Sequence, residues 1–248
     1  MRLFFYILIL GLPFMRCDWS QAQDTLKKQD TQTRYTPGFM WRFTGFEPRY
    51  GKEGEKYDRF IIDICYNDWV GNKNGTSTNW YSIGYNMNLM FDVPFNRKST
   101  SSLGIGISYS HVNLMHNGVL RINDSLGTTT LEPLLDTDPS RRMNKFVANY
   151  LEIPVEFRFR SPGYKHFKFH LGFKAGVRIS SFDRWKEGSN LYKEFNHPDI
   201  ARFRYGATVR IGIRNWSIYG AYFFSDLFNN SGSTKLNPFS LGISISLF

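Results

Sequence analysis

Cysteine is almost missing from this chain, with only Cys17 and Cys65 among 248 residues. Residue spacings typical of bound metals, a glycine-rich phosphate loop and a nucleophile elbow are missing as well, so the sequence offers no cofactor. Acidic residues are few, 21 against 31 Lys and Arg, which gives a formal charge of +10. Beyond the first residues no apolar run approaches the ~18 needed for a spanning helix. Mean hydropathy is −0.38, a value that by itself suits a soluble protein. Aromatics nevertheless make up 17% of the residues. A transmembrane barrel reconciles the two, because only alternate residues of its strands face lipid.

The chain opens with Arg2, an apolar stretch from Leu3 to Met15, and small residues Ser20 and Ala22. This is the pattern of an export signal, expected to span 1–22 and to be cleaved after Ala22. Arg16 before Cys17 is a poor fit to a lipoprotein site. Cleavage removes Cys17, so an exported protein is left with Cys65 alone and no intramolecular disulfide. Residues 23–58 are polar and read as a periplasmic arm, with Phe39, Trp41 and Phe43 alternating briefly.

From Arg59 onward the sequence alternates. In Asn149–Arg160, Leu151, Ile153, Val155, Phe157 and Phe159 share one parity and Glu152, Pro154, Glu156 and Arg158 the other. Period 2 is the mark of a strand with one apolar and one polar face. The pattern recurs near 60–67, 80–93, 103–110, 167–179, 202–214, 216–224 and 239–247. Most of these segments approach the ~9–11 residues that cross a bilayer at a tilt. Short connections at 96–100, 161–165 and 214–215 alternate with long polar ones at 71–78, 111–144, 181–200 and 225–237. The expected fold is all-β: an eight-stranded antiparallel transmembrane β-barrel over 59–248, with short periplasmic turns and long extracellular loops. A soluble lipocalin-like barrel is the alternative; it would turn the apolar face inward around a ligand.

Within 111–144, Val119–Ile122 and Thr128–Leu131 suggest a hairpin above the membrane. A further spanning pair would make ten strands, but arms of about four residues are too short to cross. Pro154 cannot donate to a ladder, so a bulge or one missing bond is expected there. Terminal Phe248 lies one residue out of phase with the apolar set ending at Leu247. Ile83, Leu89, Ile107, Val155, Leu171 and Val209 are expected against lipid. Trp69, Tyr81, Tyr109, Phe159, Phe167 and Trp216 are expected near the interfaces.

At YLEIPVEFRF, followed by FKFHLGFKAGVRI, the chain resembles the outer-membrane β-barrel family of Bacteroidetes that includes PorT-like proteins. The LEIP-type strand, the Ala175-Gly176-Val177 element and the SQAQD junction carry the resemblance, which covers roughly Tyr57 to Phe248. It implies an eight-stranded outer-membrane barrel, and PorT itself belongs to type IX protein secretion.

A small barrel is filled by its own side chains. The polar parity carries Asp63, Glu152 and Glu156 against Arg158, Lys174, Arg178, Arg204 and Arg210, with further Lys and Arg nearby. These form the candidate inward charge network, either a polar brace or a site for an anionic ligand. Neighbouring strands would let the charges pair across the ladder. Lipopolysaccharide phosphates and outer-membrane lipid are the expected partners of the basic surface, with barrel-assembly machinery and secretion-system proteins beside them. Export and a spanning pattern argue against nucleic acid. The function expected is a non-catalytic accessory or scaffold barrel, with surface adhesion or sensing, a narrow channel and a rim-sited lipid hydrolase as rivals. The last would draw on Ser108, Ser110, His111, His116 and His197.

Overall fold

The computed structural model describes residues 59–95, 100–123, 125–134, 141–161, 167–195 and 199–247. The expected signal segment 1–22, the arm 23–58, His197 and the register of Phe248 lie outside the described residues. So do the tips of two short turns.

Eleven strands run in chain order: β1 Phe60–Gly71, β2 Ile83–Pro94, β3 Ser101–Met115, β4 Gly118–Asn123, β5 Thr128–Pro133 and β6 Arg141–Arg160. They continue with β7 Phe167–Glu187, β8 Asn190–Glu194, β9 Phe203–Ile213, β10 Trp216–Phe223 and β11 Leu236–Ser246. Every pairing is antiparallel. The order β6-β3-β2-β1-β11-β10-β9-β7 closes on itself through β6–β7, giving an eight-stranded barrel. β8 extends β7 beyond the barrel, and β4–β5 is a separate hairpin. That hairpin has six residues per arm and belongs to no spanning pair. Closure answers a physical demand, since a strand edge left open would carry unpaired backbone groups into lipid.

The alternation sorts the side chains. In β2 the pattern of exposed and buried residues is strict from Ile83 to Phe91. Ile83, Leu89, Ile107, Val155 and Leu171 are exposed on the outer surface, with Tyr81, Phe159, Phe167 and Trp216 also exposed there. Trp69 differs from expectation. It is 1% exposed because it shares the parity of Asp63, Cys65 and Asn67, which points inward. In β10 both faces carry aromatics for the same geometric reason: Trp216, Ile218 and Tyr222 point out, Tyr219 and Phe223 in.

Pro154 keeps its place without a bulge. On the β7 side the ladder runs through Pro154↔Lys174. On the β3 side pairing stops at Ile105↔Val155 and resumes at Ser108↔Glu152 in the same register. The nitrogen without a hydrogen therefore faces β3, where a gap in the bonding accommodates it.

The two rims differ. One carries the short connections β2–β3, β6–β7 and the Arg214–Asn215 turn; the other carries every long connection. On the long-loop rim an apolar core sits inside the barrel mouth. Trp69, Leu114, Phe146 and Tyr150 from the walls meet Ile200, Leu227 and Phe228 from the loops. Leu120 and Leu131 of the β4–β5 hairpin come down onto it, Leu131 with no exposure at all. The hairpin is held on both edges. Thr129 N and Leu131 N donate to Ser233 Oγ and Thr234 Oγ at 2.9 and 3.0 Å. Asn74 Nδ2 donates to the Leu131 carbonyl at 3.0 Å and Asn144 Nδ2 to that of Gly118 at 2.6 Å. The hairpin is a cap.

Buried in that cap, His116 packs tilted against Trp69, with ring centroids 5.4 Å apart, and accepts from Gly118 N at 3.3 Å. Desolvation holds its pKa down to about 4, so it is neutral when the cap is closed. Above pH ~6.5 the open and closed forms are both neutral there. As pH falls from 6.5 to about 4, only the open form gains the proton, so the cap loses stability over that window. Amide exchange of Leu120 and Leu131, corrected for intrinsic rates, should accelerate across this range. His116→Asn should remove the pH dependence.

Candidate functional site: the charged lumen

Below the cap, the inward parity delivers Asp63, Asp92, Glu152 and Glu156 opposite Arg158, Lys168, Lys174, Arg204 and Arg210, all with buried side chains. Burial at this density is tolerable only where each ion is paired and further hydrogen-bonded.

Arg210, on β9, is the hub of the larger cluster. Its Nη2 and Nε reach Asp63 of β1 at 2.9 and 3.3 Å, while Nη1 binds Glu156 of β6. Asp63 also accepts from Asn88 Nδ2 at 2.9 Å, Asn86 Nδ2 at 3.3 Å and Ser244 Oγ at 2.6 Å. Glu156 in turn accepts from Arg158 Nε at 2.9 Å, and Arg158 Nη1 reaches Asp92 at 2.8 Å. The second cluster centres on Glu152. It takes Arg204 Nε at 2.7 Å, Lys174 Nζ at 3.0 Å and the Ser110 hydroxyl. The Arg204 guanidinium lies between the rings of Tyr150 and Phe223, 3.6 and 4.1 Å from their centroids. A flat, weakly hydrated cation suits such a slot in a way that an ammonium does not.

Four of the ion pairs skip a strand or cross the lumen: Arg204–Glu152 and Arg210–Glu156 pass over β7, Arg158–Asp92 passes over β3, and Arg210–Asp63 joins β9 to β1. Glu152 and Glu156 face Gly176 and Gly172 on β7. A Cβ at Gly176 would meet Glu152 Cγ at 2.5 Å, and one at Gly172 would meet Glu156 Cγ at 2.8 Å. On β3, a Cβ at Gly104 would press on Arg158 Nε at 2.7 Å and Asp92 Oδ1 at 2.9 Å. The inward glycines thus make room for long charged side chains to cross. The ladder pairing expected between neighbouring strands is present in Lys174–Glu152, which joins β7 to β6. The bonds of Glu152 and Glu156 to β9 reach one strand further because glycine occupies the β7 positions that face them.

Seven of the eight residues singled out in the sequence meet in this network: Asp63, Glu152, Glu156, Arg158, Lys174, Arg204 and Arg210. Arg178 does not. It is half-buried at the long-loop end and, among the described residues, its side chain bonds Ser181 Oγ, at 2.8 Å. Asp92, Asn86, Asn88 and Ser244 belong to the network but were not singled out, and Ser110, considered only for hydrolysis, belongs to it too. All lie on the polar parity of their strands, so the alternation held the signal.

The rim residues considered for hydrolysis are separated. Ser110 is committed to Glu152, and adjacent His111 projects to the opposite face, with Nδ1 on Asn149 Oδ1 at 2.7 Å. His116 is in the cap.

Residues 63–231 match the family described as outer membrane protein beta-barrel domain. The chain belongs to that family. Its barrel is therefore that of an outer-membrane protein, with the exposed apolar band against lipid and the charges inside. The chain is also similar to Ail, the attachment invasion locus protein of Yersinia pestis, at 14% identity over 75% of this chain and 95% of that one, with a TM-score of 0.34. A second structure of Ail, in complex with the heparin analogue sucrose octasulfate, gives 15% identity over the same shares and a TM-score of 0.30. No match was found among curated proteins.

Proposed function

We propose that this protein is a sealed, non-catalytic outer-membrane barrel that serves as a scaffold or accessory to partner proteins. The observation that supports it is the double closure of the lumen: paired charges across the middle and an apolar, latched cap in the long-loop mouth. A barrel built to conduct would keep water where this one holds Arg210, Glu156 and Phe146.

The resemblance to PorT-like proteins of Bacteroidetes points to type IX secretion as the setting. In that reading the long loops face outward, the arm 23–58 lies in the periplasm, and lipopolysaccharide, the barrel-assembly machinery and secretion-system proteins are the partners. Planar-bilayer recordings of the refolded chain should give no steady conductance; a stable open level would overturn the sealed reading. Gentle detergent extraction should recover secretion components with the protein, and its deletion should impair export of surface cargo. Isolation of the protein alone, with cargo export intact, would remove the secretion role.

A surface-interaction role is the second reading, favoured by the β7–β8 hairpin. All of β8 is exposed, including Leu191 and Tyr192, and among the described residues it pairs only with β7. Trimming 181–195 should then abolish attachment to a surface or receptor while leaving the barrel folded.

A further inference from the structure

Arg158, Lys174, Arg204 and Arg210 each meet a carboxylate in the lumen; two arginines at the edge of the barrel mouth are arranged differently. The β7–β9 ladder ends at Val177↔Phe203, and Arg178 N still donates to the Arg202 carbonyl at 2.8 Å. Arg178 and Arg202 therefore stand directly opposite one another on adjacent strands. By register both continue the parity of Gly176 and Arg204, the inward one; Arg178 is half-buried, and Arg202, one residue before β9, is exposed. Side chains so placed have Cβ atoms about 4.5–5.5 Å apart, and like charges in that position repel.

Among the described residues neither is paired with a carboxylate. Arg158, Lys174, Arg204 and Arg210 each have one at 2.7–3.0 Å. Among the described residues Arg178 bonds the Ser181 hydroxyl, at 2.8 Å, and no side-chain hydrogen bond or ion pair is seen for Arg202. The surroundings do not neutralise the pair either, since Glu152 is taken up by Arg204 and Lys174.

The backbone opens the place as well. A register shift sets Tyr150 against Arg178 but Asn149 against Ser180, leaving Ile179 unpaired and exposed. That extra residue resets the alternation and puts Ser181, buried, on the same side as Arg178. Beyond it β7 pairs with β8, while the chain before β9 turns away to the Ile200↔Phe228 bridge. The strands part where the two arginines meet, and Arg202 is exposed to the mouth.

We propose that this fork binds a terminal phosphate group. A carboxylate satisfies one guanidinium fork with its two oxygens. Two guanidiniums on facing positions, one of them already bonded to a hydroxyl, offer donors for at least three acceptor oxygens on a single centre, and arginine suits that task better than lysine. The site is distinct from the sealed lumen and does not depend on it. The phosphate is either free in solution or borne by a lipid headgroup bent into the mouth; the chemistry is the same.

Titration of the detergent-solubilised full chain with inorganic phosphate, by calorimetry and by thermal unfolding, tests this. Saturable, salt-sensitive binding and a rise in Tm are expected. Arg178→Gln and Arg202→Gln should each weaken binding about tenfold or more, and the double variant should abolish it. Without phosphate the variants should melt no lower than the parent, since a repulsion has been removed. Arg202→Lys, which keeps the charge but loses the fork, should fall between. Nanodiscs containing lipid A with or without its phosphates separate the sources. A site closed to free phosphate only by phosphorylated lipid A identifies the headgroup; a site open in both identifies a soluble ligand. Absence of saturable binding, or equal binding by the double variant, would overturn the proposal. Neither result bears on conductance, so the sealed-barrel reading stands or falls separately.

Discussion

Replacing Arg210 with methionine is expected to cost the barrel about 3–5 kcal/mol, the range for breaking a buried ion pair by removing one partner. The reason is what stays behind. Asp63 and Glu156 would remain in the lumen, each with no exposed surface to speak of, and lose the cation that joins them across it. Asp63 would keep Asn88, Asn86 and Ser244, and Glu156 would keep Arg158, so the clusters would separate rather than vanish. Urea unfolding of the refolded protein in lipid vesicles, followed by heat-modifiable gel mobility, measures the loss. Adding Asp63→Asn and Glu156→Gln should recover much of it, because neutral amides do not carry the uncompensated charge. A loss below about 1 kcal/mol would mean that water replaces the guanidinium freely, and the lumen could not then be called sealed at this level.

Val155→Arg should lower stability by about 2–4 kcal/mol, and Phe159→Arg by about 1 kcal/mol or less. Both residues are on the outward parity of β6. Val155 pairs with Ile105 and Phe173 well inside the barrel wall, whereas Phe159 pairs with Ser101 and Phe169 one residue from the strand end. Depth sets the difference: an arginine near the rim can extend its head into the headgroups, and one at mid-strand cannot. Equal and small effects at the two positions would contradict the lipid-facing assignment.

Much of this molecule was legible from alternation alone. Inward and outward sets follow directly from strand geometry, so Glu152, Glu156 and Arg158 could be placed in the lumen, and Val155 and Leu171 on the surface, before any coordinates. Trp69 shows the same rule enforced against a composition-based guess: the preference of tryptophan for interfaces gave way to its parity. The long-loop rim, the hairpin above it and the gap at Pro154 were also readable, since each follows from local chain chemistry.

What the sequence by itself determined is thus a local matter: which residues form strands, and which face of each strand is polar. Closure gave those faces their partners. Parity put Arg210 and Asp63 inside, but only curling the sheet until β6 met β7 brought β9 within reach of β1 across the lumen. The loop core was hidden for the same reason, since Trp69, Phe146, Leu131 and Phe228 lie far apart in the chain and meet only once the barrel supplies a mouth to fill. Arg178 was visible as an inward cation. Its place opposite Arg202, with no carboxylate paired to either among the described residues, was not, because it depends on where two strands part, a property of the bulge and of the loop that enters β9.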